Sequence, residues 1–134
     1  MAIKGSCLCG AVKYEVDQLD APIGHCHCRT CQKAHAAPFN AAARVNREHF
    51  RWMQGRDKLS AFESSPGKLR YFCSVCGSHV VADRAAQPYV ILRVATLDDD
   101  PGSWPVSHIW TSHDVPWLHA ANEIASYSEF PPGR

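Results

Sequence analysis

No apolar run in these 134 residues approaches the length of a membrane span. Charge of neither sign dominates, with 14 Lys and Arg against 13 Asp and Glu. No basic run is interleaved with aromatics, so neither nucleic acid nor an anionic membrane surface is an expected partner. The start, Met1-Ala2-Ile3-Lys4-Gly5-Ser6, is too short and polar to open a secretory signal, and the expected location is the cytoplasm. Repeats, low-complexity tracts and linkers are also missing. One domain over residues 1–134 is the expected organisation.

Cysteine is what the chain has in excess. Its seven cysteines fall as Cys7/Cys9, Cys26/Cys28/Cys31 and Cys73/Cys76. An odd number suits a complete disulfide framework poorly, and clustered cysteines in a reducing compartment more often bind metal. Buried free thiols would not require C-x-C, C-x-C-x2-C and C-x2-C spacing in one chain. The four sulfurs of the two pairs can close a tetrahedral zinc site. The triplet brings three ligands and leaves a corner free, as catalytic zinc does. Two zinc ions per chain are therefore expected.

The surrounding pattern is mainly β. Val12, Tyr14 and Val16 alternate with Lys13, Glu15 and Asp17, and Phe39, Ala41, Ala43 and Val45 alternate with polar or small neighbours. Residues 59–63 and 68–72 flank the turn signal Ser64-Ser65-Pro66-Gly67. Residues 80–83 and 89–96 are two further β-rich runs, the second apolar enough to be central. A short helix is expected to start at Cys31 and run through Gln32-Lys33-Ala34. Cys73-Ser74-Val75-Cys76-Gly77 reads as a zinc-knuckle turn with Gly77 at positive φ. The tail from His108 to Phe130, with Trp110, Trp117, Tyr127 and Phe130, is expected to pack across the sheet.

Three thiolates around Zn²⁺ carry one net negative charge and give the metal far more electron density than three histidines would. Bound water is then a weaker acid, and a soft fourth ligand such as a substrate thiol is favoured. A thiol held as thiolate is the nucleophile that sulfur chemistry needs. The residues therefore point to a zinc site that makes or breaks a carbon–sulfur bond. The alternative is that His35, at C-x3-H spacing from Cys31, closes the corner; both metals would then be structural and the protein a non-catalytic binding module. Metal storage or sensing through the triplet is a third possibility. His25 and His27 alternate with the cysteines and should point away. His79 and His113 are within reach of the pocket, though such residues more often serve structure. A zinc deaminase is excluded, since no H-x-E is present and Phe72 precedes Cys73 where proline is needed. A zinc-bearing methionine sulfoxide reductase would need a redox cysteine beyond its metal ligands.

Gly5-Ser6-Cys7-Leu8-Cys9-Gly10, then Cys26-His27-Cys28-Arg29-Thr30-Cys31-Gln32-Lys33-Ala34, then Phe72-Cys73-Ser74-Val75-Cys76-Gly77 resemble the glutathione-dependent formaldehyde-activating enzymes, grouped with centromere protein V. Ala95-Thr96-Leu97-Asp98-Asp99 and His108-Ile109, with Pro116-Trp117 downstream, are weaker echoes. The resemblance implies a β-tent fold of the Mss4-like kind, small antiparallel sheets pinned by zinc. It implies structural zinc on Cys7, Cys9, Cys73 and Cys76, and a second zinc on Cys26, Cys28 and Cys31, which would be the catalytic set. The implied activity is a carbon–sulfur lyase acting on glutathione, or a similar small thiol, and formaldehyde. Oligomeric state is not implied.

Overall fold

The computed structural model describes residues 2–118 and 123–133. Ten strands and one α-helix are formed among them, in two sheets. The smaller sheet has the order β1 (Ile3–Ser6), β2 (Lys13–Val16), β5 (Phe50–Gln54), and is antiparallel throughout. The larger has seven strands: β10 (Pro105–Ile109), β3 (Ile23–Cys26), β4 (Asn40–Asn46), β9 (Tyr89–Arg93), β8 (His79–Arg84), β7 (Lys68–Cys73) and β6 (Leu59–Ser65). Every pairing in it is antiparallel except β10 with β3. The fold is thus mainly β, as expected, with one parallel junction at the edge.

The core lies between the sheets. Tyr14 and Val16 from the small sheet meet Val45, Val80, Val81, Val90 and Leu92 from the large one, all nearly solvent-free. Fully burying each Val or Leu contributes roughly 1.5–3 kcal/mol of transfer free energy. Tyr14 stacks on Phe50 at 5.3 Å between centroids, and its hydroxyl shares a 2.6 Å hydrogen bond with Thr96 Oγ1. A buried phenol is tolerated because that partner is present. The apolar run from Tyr89 is central, flanked by β4 and β8, and leaves the sheet through a helical turn at Val94–Thr96.

Two elements differ from the sequence reading. The hairpin turn is tighter than expected, because β6 and β7 continue to Ser65 and Lys68 and leave only Pro66-Gly67 between them. The tail does not lay its aromatics on the sheet: Trp110, Trp117, Tyr127 and Phe130 are all more than half exposed. Its first part instead adds β10 to the free edge of β3, with Pro105 as first residue, where a missing N–H is tolerated. Aromatic content promised burial, but unpaired backbone at a sheet edge was the stronger claim on this segment. Residues 119–122 of the tail lie outside the described residues.

Candidate metal centres

The seven thiols gather into two clusters. Within each, the sulfur atoms all lie within 4.8 Å of one another: Cys7, Cys9, Cys73 and Cys76 in one, Cys26, Cys28 and Cys31 in the other. Residues 64 positions apart thereby meet, with Cys9 Sγ 3.8 Å from Cys73 Sγ, while Cys7 Sγ lies 3.6 Å from Cys9 Sγ. A tetrahedron with Zn–S bonds of about 2.3 Å has S···S edges of about 3.8 Å, so these separations fit a four-thiolate zinc site. Thiolate sets of this softness suit zinc among the common divalent ions.

The four-thiol cluster joins the two sheets. Cys7 and Cys9 occupy the turn between β1 and β2, while Cys73 ends β7 and Cys76 lies in the following turn. Gly10 and Gly77 both adopt φ of 81°, a left-handed conformation that lets each turn fold back beneath its cysteines. The Val12 amide donates to Cys7 Sγ at 3.3 Å, and the Leu8 amide donates to Ser78 Oγ at 3.0 Å, which ties one turn to the other. Hydrogen bonds from the Ser78 side chain and backbone lower the Cys76 thiol to about 5. Such bonds favour the ionised form that a metal requires.

The three-thiol cluster sits at the end of β3. Cys26 closes that strand, Cys28 caps the helix α1 (Arg29–His35), and Cys31 lies one turn inside it. The Cys31 amide donates to Cys28 Sγ at 3.3 Å, so the cap itself fixes two ligand positions. Burial opposes ionisation of Cys31, but hydrogen bonds from Cys28 and Cys26 and the Arg70 guanidinium outweigh it and lower its pKa. Burial pushes Cys26 up to about 12. The three sulfurs open onto a cavity of about 380 Å³ that Asn40, Lys68, Arg93 and Trp110 also line.

The histidines separate by role. His35 is not a member of the sulfur set; its ring stands edge-on to His79, 4.9 Å away. Burial, then Arg93, His79 and Arg70, hold it down at about 3, so it is neutral. His79 also stacks on Phe72 at 5.5 Å. His25 and His27 point away from the thiols, as expected, and both stack on Phe39. His27 is buried, with Nδ1 2.7 Å from Asp114 Oδ1 and Nε2 2.8 Å from His108 Nδ1. His113 Nδ1 accepts from the Arg29 amide at 3.3 Å, and Gln32 donates to the His27 and His113 carbonyls. The segment 108–114 therefore clamps the cysteine triplet from outside.

The sequence reading missed Arg70, Arg93, Asn40 and the Asp114–His27–His108 chain. Arg93 left a trace, as the one charge after the apolar run Tyr89-Val90-Ile91-Leu92, and Arg70 a weaker one, set between Leu69 and Tyr71-Phe72 in a strand that opens on Lys68. Asp114 left none, because only the β10–β3 pairing brings it across.

A mainly β chain with one thiol set of four and one of three, each able to hold a metal ion, defines a class of β proteins built for metal binding rather than a disulfide scaffold. The comparisons narrow it. The sequence model described as glutathione-dependent formaldehyde-activating enzyme matches residues 2–113, and the chain belongs to that family. Among solved structures it is similar to the crystal structure of a Rhodobacter sphaeroides protein, at 27% identity and a TM-score of 0.64, over 79% of this chain and 99% of that one. No curated protein sequence matches it. No helix among the described residues is long and apolar enough to cross a membrane.

Proposed function

We propose that this chain is one zinc-binding domain that acts as a carbon–sulfur lyase on a small, glutathione-like thiol and an aldehyde, in the cytoplasm, with two zinc ions. Cys7, Cys9, Cys73 and Cys76 would hold a structural ion, and Cys26, Cys28 and Cys31 the catalytic one. The observation that carries this reading is that the second set holds three sulfurs and faces a cavity, while His35 turns to His79 instead. A zinc ion bound there would supply a soft, electron-rich Lewis acid one ligand short, which favours an ionised thiol over water.

The chain's own residues prepare the rest. The helix cap and the His27–Asp114 contact hold the three sulfurs at fixed spacing. Ile91, Ile109 and Trp110 give the cavity apolar wall that limits water around the reacting sulfur. The substrate sulfur adds to the carbonyl carbon: a C–S bond forms, the carbonyl electron pair moves to oxygen, and that oxygen takes a proton from solvent. The lyase direction reverses each of these changes. Arg70, with Nη2 3.9 Å from Cys31 Sγ, offsets negative charge gathering at the sulfurs.

The test uses cobalt-substituted protein. Adding millimolar glutathione or 2-mercaptoethanol should change its visible absorption through a new Co–S bond, and zinc protein should speed exchange between free thiol and formaldehyde adduct by NMR. A spectrum unmoved by thiol would defeat the lyase reading in favour of a non-catalytic binding module or a metal store.

A further inference from the structure

Three cations, Arg70, Arg93 and Lys68, stand about the three-thiol set with no ion-paired carboxylate among the described residues. Arg47 and Arg51, on the surface, are paired with Asp83 and with Glu15 and Asp17. Arg70 and Arg93 are only 3% and 7% exposed, yet neither forms an ion pair among the described residues. Arg93 Nη1 donates to Asn40 Oδ1 at 3.4 Å, while its Nε and Nη2 have no partner among those residues. Asn40 Nδ2 and Arg70 Nη1 are in the same condition. Lys68 lines the cavity beside them. A buried guanidinium with unmade hydrogen bonds is costly, and native structures keep such groups where an anion answers them.

The sulfurs alone do not answer them. Three thiolates around a divalent ion carry one negative charge, and a bound substrate thiolate adds a second, against three cations. Position identifies where the missing anion belongs. Arg70 touches Cys31, and Asn40 is the direct cross-strand neighbour of Cys26, so the free donors lie beside the reacting sulfur. The carboxylates of glutathione lie beyond peptide bonds from its sulfur. A carboxylate carried by the carbonyl carbon itself would sit immediately next to it.

We propose that the aldehyde taken by this site carries a carboxylate on its carbonyl carbon, glyoxylate being the smallest, and that Arg93, Asn40 and Arg70 bind that carboxylate. The inference rests on the thiol reading above and specifies its second substrate. The reaction is the same addition: the thiol proton goes to solvent, the sulfur pair forms the C–S bond, and the carbonyl oxygen is protonated. No oxidant or reductant is needed. Guanidinium–carboxylate pairing is bidentate and stronger than neutral hydrogen bonding, which gives the site a reason to prefer this adduct.

The test is calorimetric binding to the zinc-loaded protein, with glutathione in excess aldehyde. The glyoxylate adduct should bind about ten-fold tighter than the formaldehyde adduct, from charge-assisted hydrogen bonds. In Arg93→Met that ratio should fall close to one. Asn40→Leu should lower it too, and carries the test if Arg93→Met does not fold. 2-Mercaptoethanol, which has no carboxylate, should show the same preference in place of glutathione. A wild-type ratio near one, or a ratio that both variants leave unchanged, overturns the proposal. So does a preference that disappears with 2-mercaptoethanol, since the cations would then belong to the thiol. Cobalt absorption separates the levels: no response to glutathione alone defeats the thiol reading itself, whereas a normal response with a ratio of one defeats only the carboxylate.

Discussion

The two cysteine clusters offer the same ligand atom and differ in what surrounds it. The four-thiol set lies where a turn of the small sheet meets the end of β7, packed with Val12 and flanked by Trp52 and Leu59. Nothing cationic is needed there beyond backbone and Ser78 hydrogen bonds. The three-thiol set lies where β3 ends and α1 begins, faces a cavity, and has Arg70, Arg93 and Lys68 about it. One set holds two sheets together, so its loss should be felt by the whole core. The other is carried by a strand end and a helix that are already hydrogen-bonded, so its loss should be local. Ligand count decides whether the metal can be closed by protein, and placement decides what depends on it.

Substitution of the knuckle should break this contrast most forcibly. Cys73→Ser or Cys76→Ser should unfold or aggregate the protein, because structural zinc supplies about 10–16 kcal/mol in small finger domains, at least as much as the usual stability of a domain. Circular dichroism and sedimentation would read it. Cys28→Ser should keep a cooperative melt while losing one metal and all thiol response. If it melts as poorly as the knuckle variants, the two clusters have the same role.

Metal counting sharpens the contrast without mutation. Elemental analysis should give close to two zinc ions per chain, and a chelator titration should remove one first. Its loss should abolish thiol binding before the melting temperature collapses. A single tight zinc with no weaker partner would contradict the division of sulfurs into four and three.

Smaller effects concern the clamp and the histidine. Asp114→Asn replaces the carboxylate that faces buried His27 Nδ1, and should cost about 1–3 kcal/mol, measured as a lower melting midpoint in urea. It should also loosen metal at the three-thiol set while sparing the other. His35→Ala should alter least. Thiol binding at the cobalt centre should persist, since the His35 ring contacts His79 rather than joining the sulfurs. Cobalt absorption changed by His35→Ala, yet blind to thiol, would reverse the assignment of the fourth position.

Local chemistry explains what could be read in advance. Alternation along Val12, Tyr14 and Val16 is a local property, and β2 forms there. The triplet spacing is equally local: an extended C-x-C followed by a cap and one helical turn brings three sulfurs together whatever the rest does. The short strand β10 was not legible, because its residues are exposed on every side and only the vacant edge of β3 calls for them. Arg70 and Arg93 could be seen as charges among apolar residues, but not as neighbours of the same three thiols.

By itself, then, the sequence determined the mainly β character, the grouping of thiols into four and three, and the soft chemistry such sets favour, because periodicity and ligand spacing act over a few residues. Tertiary structure alone decided that His35 turns to His79, and that Arg70 and Arg93 come to stand beside the three thiols. Those outcomes depend on strand order and register, through which residues dozens of positions apart become neighbours. A pattern confined to one segment holds no record of them.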